Sequence, residues 1–464
     1  MHYGRFLVTT PIYYVNDNPH IGHAYSTIAA DILARYWKNR GAETFFLTGS
    51  DEHGMKIAQA AAKAGITPKE FADKISNKYK EAWSELNIGY NNFIRTTDAD
   101  HEKFVQDFVQ KLYDNGDIYP DKYSGLYCVG CEEYKKDEDL EKGNICPVHK
   151  KECEMIEEDI YFFKLSKYQG QILEAIQSGK YSIEPESRRN EIFKFLAKEP
   201  LRDLAISRSK VEWGIQIPWD KNQTIYVWVD ALLNYLSGSK GFWPPQLQII
   251  AKDIFRFHAI IWPAMLLATG YELPEKLFIH GYFTINGQKM SKSLGNVVDP
   301  VEIAKVYGTD ALRYFVMREV PFGADGDFSL DRFDQRYRAD LANDLGNLFQ
   351  RTIVMAANAK VHWEYVGPIK KFPEFDALME ELKFSDALGL IWKMISEANV
   401  LIDAEKPWEL AKVDPAKNEK LLQGLLDTLA NISDLIGPFM PETQAKMIEQ
   451  LKTGKPEVLF PRKK

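Results

Sequence analysis

The sequence predicts an α/β protein in which a parallel sheet, interrupted by an insertion, precedes a bundle of helices. The first observation is an apolar run, RFLVTTPIYY, followed by a helical pattern and a second apolar run, ETFFLTGS. A strand, a helix and a strand in succession form a unit whose strands lie parallel. The second observation is that this alternation stops near residue 117 and returns near residue 225. The third is a change after about residue 331 to apolar stripes with a period of about 3.6 residues, which is typical of helix bundles.

The first helix is predicted over HAYSTIAADILARYWKNRG, directly after a polar turn. Gly41 ends this segment, and helical patterns continue beyond the next strand to about Asn115. A helix that is apolar on one side packs that side against a sheet. The residues on the apolar side are Ile28, Ile32, Leu33, Tyr36 and Trp37.

The second half of the sheet is predicted from TIYVWVDALLNYL and LQIIAKDIFRFH, and LFIHGYFTINGQKMSKSLGN adds a late strand with a loop. Amphipathic segments such as RFDQRYRADLANDLGNLFQRTIVMAANAK then predict the helices of the bundle. The predicted domains are the first half of the sheet domain (1–116), the insertion (117–224, with a cysteine knuckle at about 126–153), the second half of the sheet domain (225–285), a loop and connecting region (286–340) and the helical domain (341–464).

The composition is that of a water-soluble globular protein, with 45% hydrophobic and 27% charged residues. Four cysteines in 464 residues exclude a disulfide-rich secreted scaffold, and the amino terminus lacks the pattern of a signal peptide. The most apolar stretch, AIIWPAMLLATG, is interrupted by Pro263 and is too short to span a bilayer. We therefore expect a cytoplasmic protein without a membrane partner. A net charge of −8 argues against sequence-blind nucleic-acid binding but permits a local basic patch.

All four cysteines lie in one short charged segment. Cys128 and Cys131 form a C-x-x-C pair, and Cys146 and His149 form a C-x-x-H pair. Three thiolates and one imidazole complete a tetrahedral zinc site with no open position, so the sequence predicts one structural zinc ion. Cys153 either replaces His149 as a ligand or is an ordinary buried thiol. Four unconnected thiols are the alternative interpretation, which the paired spacing disfavours.

Two motifs far apart in the chain are suited to phosphate chemistry. NPHIGH lies between the first strand and the first helix, where His20 and His23 can donate to polyphosphate oxygens beside the helix amino terminus and Gly22 permits close approach. KMSKS, Lys289 to Ser293, offers two lysines for the charge that develops on a leaving pyrophosphate. Each motif alone is more often an ordinary surface segment, whereas the pair in this order is specific.

Several further stretches occur in a fixed order along almost the whole chain: TTPIYYVNDNPHIGHAYSTIAADILARY, FLTGSDEHG, YVWVDAL, LFIHGYFTINGQKMSKSLGN and DLANDLGNLFQR. Together with the cysteine knuckle, they resemble the methionyl-tRNA synthetases, a family of class I aminoacyl-tRNA synthetases. The resemblance implies a Rossmann-type catalytic domain, split by a connective insertion that carries the zinc knuckle, and an α-helical anticodon-binding domain.

The resemblance also implies the reaction. Members of the family activate L-methionine with ATP to methionyl-adenylate and pyrophosphate, then transfer methionine to the 3′-terminal adenosine of initiator and elongator methionine tRNA. Magnesium is expected with the ATP. The catalytic residues implied are His20, His23, Lys289 and Lys292, and ATP binding adds Gly22, Asp253 and Ser291.

The methionine pocket implied by the resemblance combines a carboxylate, Asp51, for the ammonium group with an apolar and aromatic slot for the side chain. Methionine is unbranched and its sulfur packs well against aromatic rings. Tyr14 and His258 are suited to donate to the sulfur. Without the resemblance, the apolar members are interpreted as core and Asp51 as a helix cap. The complete set is Ile12, Tyr14, Asp51, Trp228, Leu232, Tyr235, Ile254, Phe257 and His258.

The helical domain resembles the anticodon-binding bundle of the family. Asn347 and Arg351, four residues apart, match the residues that read the anticodon, and Trp408 matches a residue that stacks on an anticodon base. A core tryptophan is the alternative for Trp408. Because dimeric members often carry an additional carboxyl-terminal domain, which this chain lacks, we expect a monomer.

Two other functions compete with this prediction. A class I synthetase for leucine, valine or cysteine keeps the chemistry. The short insertion leaves little room for the large editing domain of the leucine and valine enzymes, and a cysteine enzyme would place a zinc ion in its active site, whereas these ligands lie in an insertion. A catalytically silent tRNA-binding paralogue is expected to have lost catalytic residues, whereas both signature motifs are intact here.

Overall fold

A computed structural model describes residues 4–131, 133–135, 139–285, 287–289 and 297–463. It confirms the predicted α/β class, with a parallel sheet, an insertion and a helix bundle. The strands are β1 (Arg5–Tyr14), β2 (Glu43–Asp51), β3 (Asn92–Arg95), β4 (Ile118–Cys128), β5 (Glu133–Lys135), β6 (Glu154–Phe163), β7 (Ser182–Glu184), β8 (Leu204–Ala205), β9 (Ser207–Arg208), β10 (Gln216–Ile217), β11 (Asp220–Ile225), β12 (Leu247–Ala251), β13 (Lys276–His280), β14 (Phe283–Ile285), β15 (Gln288–Lys289) and β16 (Gly326–Asp327).

The helices surround the main sheet and continue as the bundle at the end of the chain. They are α1 (Ile21–Asn39), α2 (Met55–Ala64), α3 (Pro68–Glu85), α4 (Ala99–Asp114), α5 (Gln169–Gln177), α6 (Glu186–Lys198), α7 (Val227–Ser237), α8 (Trp262–Thr269), α9 (Pro300–Tyr307), α10 (Thr309–Arg318), α11 (Leu330–Arg336), α12 (Asn347–Asn358), α13 (Pro373–Glu380), α14 (Phe384–Glu405), α15 (Pro407–Val413), α16 (Pro415–Ile436) and α17 (Pro441–Thr453).

The main sheet has six parallel strands in the order β3-β2-β1-β12-β13-β7. The chain leaves β1 toward β2 on one side and returns as β12 on the other, so the strand order reverses beside β1. Ligands of open α/β sheets bind at the carboxyl ends of the strands at such a reversal. The edge strand β7 lies within residues 117–224, so part of the segment predicted as an insertion completes the main sheet.

The insertion is built on a second, antiparallel sheet with the order β5-β4-β6-β8. Its long hairpin pairs β4 with β6 from Ile118 opposite Phe163 to Tyr127 opposite Glu154. The cysteine knuckle connects the two strands at the end of this hairpin, because Cys128 is the last residue of β4 and Cys153 directly precedes β6. Among the described residues of the tip, the buried cluster consists of Leu126 and three cysteines, and a bound metal orders a segment of this kind.

Helix α1 lies between the sheet and the helical part of the chain and is buried along most of its length. Its apolar residues Ile28, Ile32 and Leu33 belong to a core that continues into α10, α12, α14 and α16. Burial of each such side chain contributes about 1.5–3 kcal/mol. One continuous core therefore joins the helix that His20 caps to the bundle. Within the described residues, every helix is either too short or too polar to cross a lipid bilayer.

Candidate active site

A cavity of about 440 Å³ opens at the carboxyl ends of β1 and β12, where the strand order reverses. The structure brings most of the predicted ATP and methionine residues together in its wall. Phe257 lies outside the wall, but its ring stacks on that of Trp228 with centroids 3.8 Å apart. Ser291, Lys292 and the side chain of Lys289 lie outside the described part of the chain. The predicted residues in the wall are Ile12, Tyr14, His20, Gly22, His23, Asp51, Trp228, Leu232, Tyr235, Asp253, Ile254 and His258.

The two histidines of the NPHIGH motif form the amino-terminal cap of α1. The Nδ1 atom of His20 accepts the backbone N–H of Gly22 at 3.1 Å. The Nδ1 atom of His23 accepts the backbone N–H of His20 at 3.3 Å and the hydroxyl of Tyr79 at 3.2 Å. Burial, followed by the neighbouring His20, holds the pKa of His23 well below 6.5, so that ring is neutral. Because each Nδ1 accepts, the ring donor of each histidine is its Nε2–H.

One side of the predicted methionine slot is organised by a buried hydrogen-bond chain. The Nδ1–H of His258 donates to the carbonyl of Ile254 at 3.0 Å, and its Nε2 accepts the hydroxyl of Tyr235 at 2.8 Å. Burial lowers the pKa of His258 to about 4, so the ring carries a single proton. That proton is already used on Ile254, which corrects the expectation that His258 donates to the sulfur of methionine.

Asp51 lies at the end of β2 and lines the cavity, while the neighbouring residues are anchored behind it. The buried carboxylate of Glu52 accepts the hydroxyl of Ser50 at 2.6 Å and two guanidinium N–H groups of Arg95 at 2.7 and 2.8 Å. Gly54, not Asp51, is the cap residue of α2, so the alternative interpretation of Asp51 as a helix cap is wrong. The hydrogen bonds of Glu52 thus anchor the end of β2 behind the cavity wall.

Several wall residues are absent from the sequence-based prediction, and His280 is the best defined. It ends β13, its Nδ1–H donates to the carbonyl of Gly281 at 2.7 Å, and its Nε2 accepts the hydroxyl of Ser26 at 2.7 Å. Burial lowers the pKa of His280 to about 4. The sequence signal for His280 as a site residue was its position at the carboxyl end of a predicted strand. A side chain at Gly281 would place its Cβ 2.3 Å from the carbonyl oxygen of Ala324, which explains why the next residue is glycine.

Lys56, in the first turn of α2, is the one lysine or arginine in the wall within the described part of the chain. Its ammonium group lies 5.5 Å from the centroid of the Tyr14 ring. The wall also contains Asp51 and Asp253, whereas His23, His258 and His280 are neutral because burial lowers their pKa values. The described wall therefore combines one lysine with two aspartates and three neutral histidines.

The four predicted metal ligands converge on one point. Their ligand atoms lie within 4.8 Å of one another. The Nδ1 of His149 is 3.9, 3.3 and 3.9 Å from the sulfurs of Cys128, Cys131 and Cys146. Tetrahedral zinc with bonds of about 2.0–2.3 Å separates its ligands by roughly 3.5–3.8 Å, so the four atoms fit such an ion.

The fifth soft side chain of the knuckle, Cys153, is buried against the same cluster but is not one of the four converging ligands. His149 is therefore the fourth ligand that the geometry favours. Cys131 also contributes to the wall of the large cavity. The knuckle accordingly lies at the mouth of that cavity.

The predicted anticodon residues lie on neighbouring helices of the bundle. The guanidinium of Arg351, on α12, lies 5.9 Å from the centroid of the Trp408 ring and 3.1 Å from the carboxylate of Asp403. Asn347 begins α12, one turn before Arg351. Trp408 is 45% exposed, so the alternative interpretation as a core tryptophan is wrong.

A cavity at the strand-order reversal, beside a helix whose amino terminus carries two histidines, is what the resemblance to the class I aminoacyl-tRNA synthetases implies. Consistent with this, the family model described as "tRNA synthetases class I (M)" matches residues 6–155 and 138–353. The methionine–tRNA ligase of Caldanaerobacter subterraneus is 45% identical, over 96% of this chain and 74% of that protein. That of Nostoc sp. is 42% identical, over 97% of this chain and 90% of that protein.

Among solved structures, the methionyl-tRNA synthetase of Mycobacterium tuberculosis in complex with methionyl-adenylate superposes with a TM-score of 0.92 and 36% identity. The match covers 99% of this chain and 100% of that one. The chain belongs to the methionyl-tRNA synthetase family.

Proposed function

We propose that this protein activates L-methionine with ATP and transfers it to the 3′-terminal adenosine of initiator and elongator methionine tRNA. One observation carries the proposal: a carboxylate for an ammonium group, an aromatic slot and two stacked histidines share one cavity of amino-acid-plus-nucleotide size. The relatives that cover nearly the whole chain are methionine–tRNA ligases, which supports the same conclusion.

In the activation step, a carboxylate oxygen of methionine attacks the α-phosphorus of ATP. A new P–O bond forms, the bond from that phosphorus to the bridging oxygen breaks, and pyrophosphate leaves with the electron pair. No side chain acts as a nucleophile, so the protein contributes positioning and charge stabilisation. Asp51 binds the ammonium group, and the slot that includes Trp228 and Tyr235 holds the thioether.

The proposed position of the ATP phosphates is the amino terminus of α1. The Nε2–H groups of His20 and His23 donate to phosphate oxygens, since both Nδ1 atoms are already engaged as acceptors. Gly22 allows the nucleotide to approach, and Asp253 holds its ribose. Lys289, Ser291 and Lys292 are proposed to bind the pyrophosphate. Mg²⁺ accompanies ATP and neutralises part of its charge.

The experiment that tests this function is exchange of labelled pyrophosphate into ATP, measured with each of the twenty amino acids and without tRNA. Exchange that depends on methionine alone supports the activation step and its specificity. Exchange with a different amino acid overturns the assignment of the slot. A folded protein that supports no exchange is instead the catalytically silent tRNA-binding paralogue.

We also propose that zinc occupies the knuckle, held by Cys128, Cys131, Cys146 and His149. Its chemistry there is that of a cross-link, because four protein ligands leave no position for a substrate. The ligand distances support the assignment, and metal analysis of the purified protein is expected to find about one zinc per chain.

We propose, further, that Asn347, Arg351 and Trp408 contact the anticodon of methionine tRNA, and that the protein acts as a monomer in the cytoplasm. The exposed ring of Trp408 beside the guanidinium of Arg351 is a suitable platform for an unstacked base. Sedimentation at micromolar concentration tests the oligomeric state, and a stable dimer would contradict it.

A further inference from the structure

A buried cluster of three titratable side chains lies behind the methionine slot. The carboxylate of Asp230, on α7, accepts the Nδ1–H of His53 at 2.8 Å through one oxygen and the Nε2–H of His101 at 2.8 Å through the other. All three side chains are nearly inaccessible, with exposures of 4% or less. None of the three belongs to the cavity wall. The proposed reaction gives them no task.

The cluster joins three separate parts of the fold. His53 follows Asp51 by two residues in the turn after β2, His101 lies on α4, and Asp230 lies on α7. The Nδ1 of His101 also accepts the hydroxyl of Ser237, at the end of α7, at 2.7 Å. Residues 230 and 237 are seven apart and therefore share one side of the helix.

The opposite side of α7 forms the slot. Trp228, Leu232 and Tyr235 line the cavity and are spaced at intervals of three to four residues. At about 100° per residue, Asp230 lies on the far side of the helix from these three. The cluster therefore connects the rear of the slot helix to the turn that carries Asp51.

The charges of these side chains strengthen the connection between α7 and the turn after β2. Burial by itself lowers the pKa of His53, but the carboxylates of Asp230, of Glu102 (3.6 Å from Nε2) and of Asp51 outweigh it and raise the pKa to about 10. Burial also opposes ionisation of Asp230, and the two histidines outweigh that effect and lower its pKa. Direct hydrogen bonds of 2.8 Å leave no room for a metal ion between these ligands.

We propose that Asp230, together with His53 and His101, is a positioning residue that sets the location of Asp51 relative to the slot and thereby the affinity for methionine. The inference rests on the proposed methionine activation. Asp51 contacts the ammonium group equally in the ground state and the transition state, so a displaced Asp51 changes uniform binding. Weaker uniform binding raises the KM for methionine and leaves kcat almost unchanged.

The test is the Asp230→Asn variant in pyrophosphate exchange, with the intact protein. An asparagine keeps the shape but replaces one of the two acceptor oxygens by a donor. We expect the KM for methionine to rise about tenfold or more, with kcat and the KM for ATP within about twofold of the original. A methionine analogue without the ammonium group is expected to inhibit the variant and the original almost equally.

Two further sets of variants separate positioning from general damage. His53→Asn retains an N–H near the Nδ1 position and is expected to keep most of the affinity that His53→Leu loses. Asp310→Asn is the matched control, because Asp310 is another buried carboxylate, which accepts the backbone N–H of Thr443 at 2.6 Å in the bundle. This control is expected to leave the KM for methionine unchanged.

Three results would overturn the inference: a KM for methionine unchanged in Asp230→Asn, equal weakening of methionine and the analogue, or an equal effect of Asp310→Asn. Failure of the proposed function is distinct, since it would abolish methionine-dependent exchange in the unsubstituted protein. If Asp230→Asn does not fold, the pair His53→Asn and His53→Leu provides the same comparison of KM and kcat.

Discussion

The imidazole rings of His20 and His23 stack with their centroids 3.7 Å apart and an interplanar angle of 22° at the start of α1. Each ring accepts a backbone N–H through its Nδ1 atom, His20 from Gly22 and His23 from His20, so both Nδ1 atoms hold the helix terminus and the ring proton of each histidine is on Nε2. The structural task and the proposed catalytic task of each histidine therefore reside on different nitrogen atoms.

The His20→Asn variant separates these two tasks. The Oδ1 of asparagine takes the place of Nδ1 as the cap acceptor, whereas nothing replaces Nε2–H. We expect kcat of pyrophosphate exchange to fall about 10²–10³-fold, as when one transition-state donor is removed, with the unfolding midpoint preserved. His20→Ala loses the cap as well and is expected to be less stable by about 1 kcal/mol. Normal activity of His20→Asn would contradict the phosphate role.

His258 makes the stability of the protein depend on pH. Its pKa is lowered to about 4 by burial, against an ordinary value of about 6.5, so the unfolded chain binds this proton more readily than the folded protein. The contribution of neutral His258 to the free energy of unfolding is fully present above pH 6.5 and is lost as the pH falls toward 4. At pH 5 the loss is about 2 kcal/mol.

The His258→Gln variant tests this dependence, because glutamine retains an acceptor for Tyr235 but does not titrate. Urea unfolding between pH 8 and pH 5 is expected to lose less free energy in the variant than in the original protein. His280 has the same sign of shift and is present in both proteins, so the difference between them reports His258 alone. Identical pH slopes would show that His258 is not held neutral.

Metal content distinguishes His149 from Cys153 as the fourth ligand of the knuckle. We expect His149→Ala to bind less than one zinc per chain and His149→Cys to retain it, because a fourth thiolate completes a tetrahedral site. Cys153→Ser is the control and is expected to keep the metal. Loss of zinc in Cys153→Ser, with retention in His149→Ala, would reverse the assignment.

Trp408 is expected to act in aminoacylation and not in activation. Replacement by alanine removes a stacking surface worth about 1–3 kcal/mol, so the KM for tRNA should rise about five- to hundredfold. Pyrophosphate exchange without tRNA should be unchanged, since Trp408 lies in the bundle, away from the cavity. Trp408→Phe retains an aromatic face and should recover part of the loss. An unaltered dependence on tRNA in Trp408→Ala would remove this residue from the anticodon site.

The buried pair of Arg313 and Asp31 joins α10 to α1 with a distance of 2.6 Å. Arg313 is fully buried and also donates to the carbonyl of Phe439 at 2.8 Å. Asp31→Asn leaves the guanidinium without its charge partner, so we expect the free energy of unfolding to fall by about 3–5 kcal/mol. The exposed pair of Lys69 and Asp73 offers the contrast, since Lys69→Met should cost less than about 1 kcal/mol. Equal effects in urea unfolding would contradict this ranking.

Local sequence patterns were sufficient to predict the first elements of the fold. The strand that became β1, the helix α1 and the histidines between them follow one another along the chain, and hydrophobic period and capping are local properties. The same holds for the knuckle, whose ligands lie within 22 residues, from Cys128 to His149. These features were predictable because each depends on neighbours in sequence.

Other features required the folded chain. β7 joins the edge of the main sheet by pairing with β13, about 90 residues later, and no local period distinguishes such an edge strand from a strand of the insertion. His280 reaches the cavity because β13 ends beside β12. The adjacent residues show that His280 ends a strand, but they do not show which strand lies beside it.

Local sequence pattern thus determined the residue types at the proposed site and the order of strands and helices, because propensity, period and capping act over a few residues. Which strand ends meet, which histidine donates to which oxygen, and how His53 and Asp230 come together across 177 residues were decided by tertiary packing. Burial is the physical reason, since removal of water both orients these groups and displaces their pKa values, and burial exists only in the folded chain.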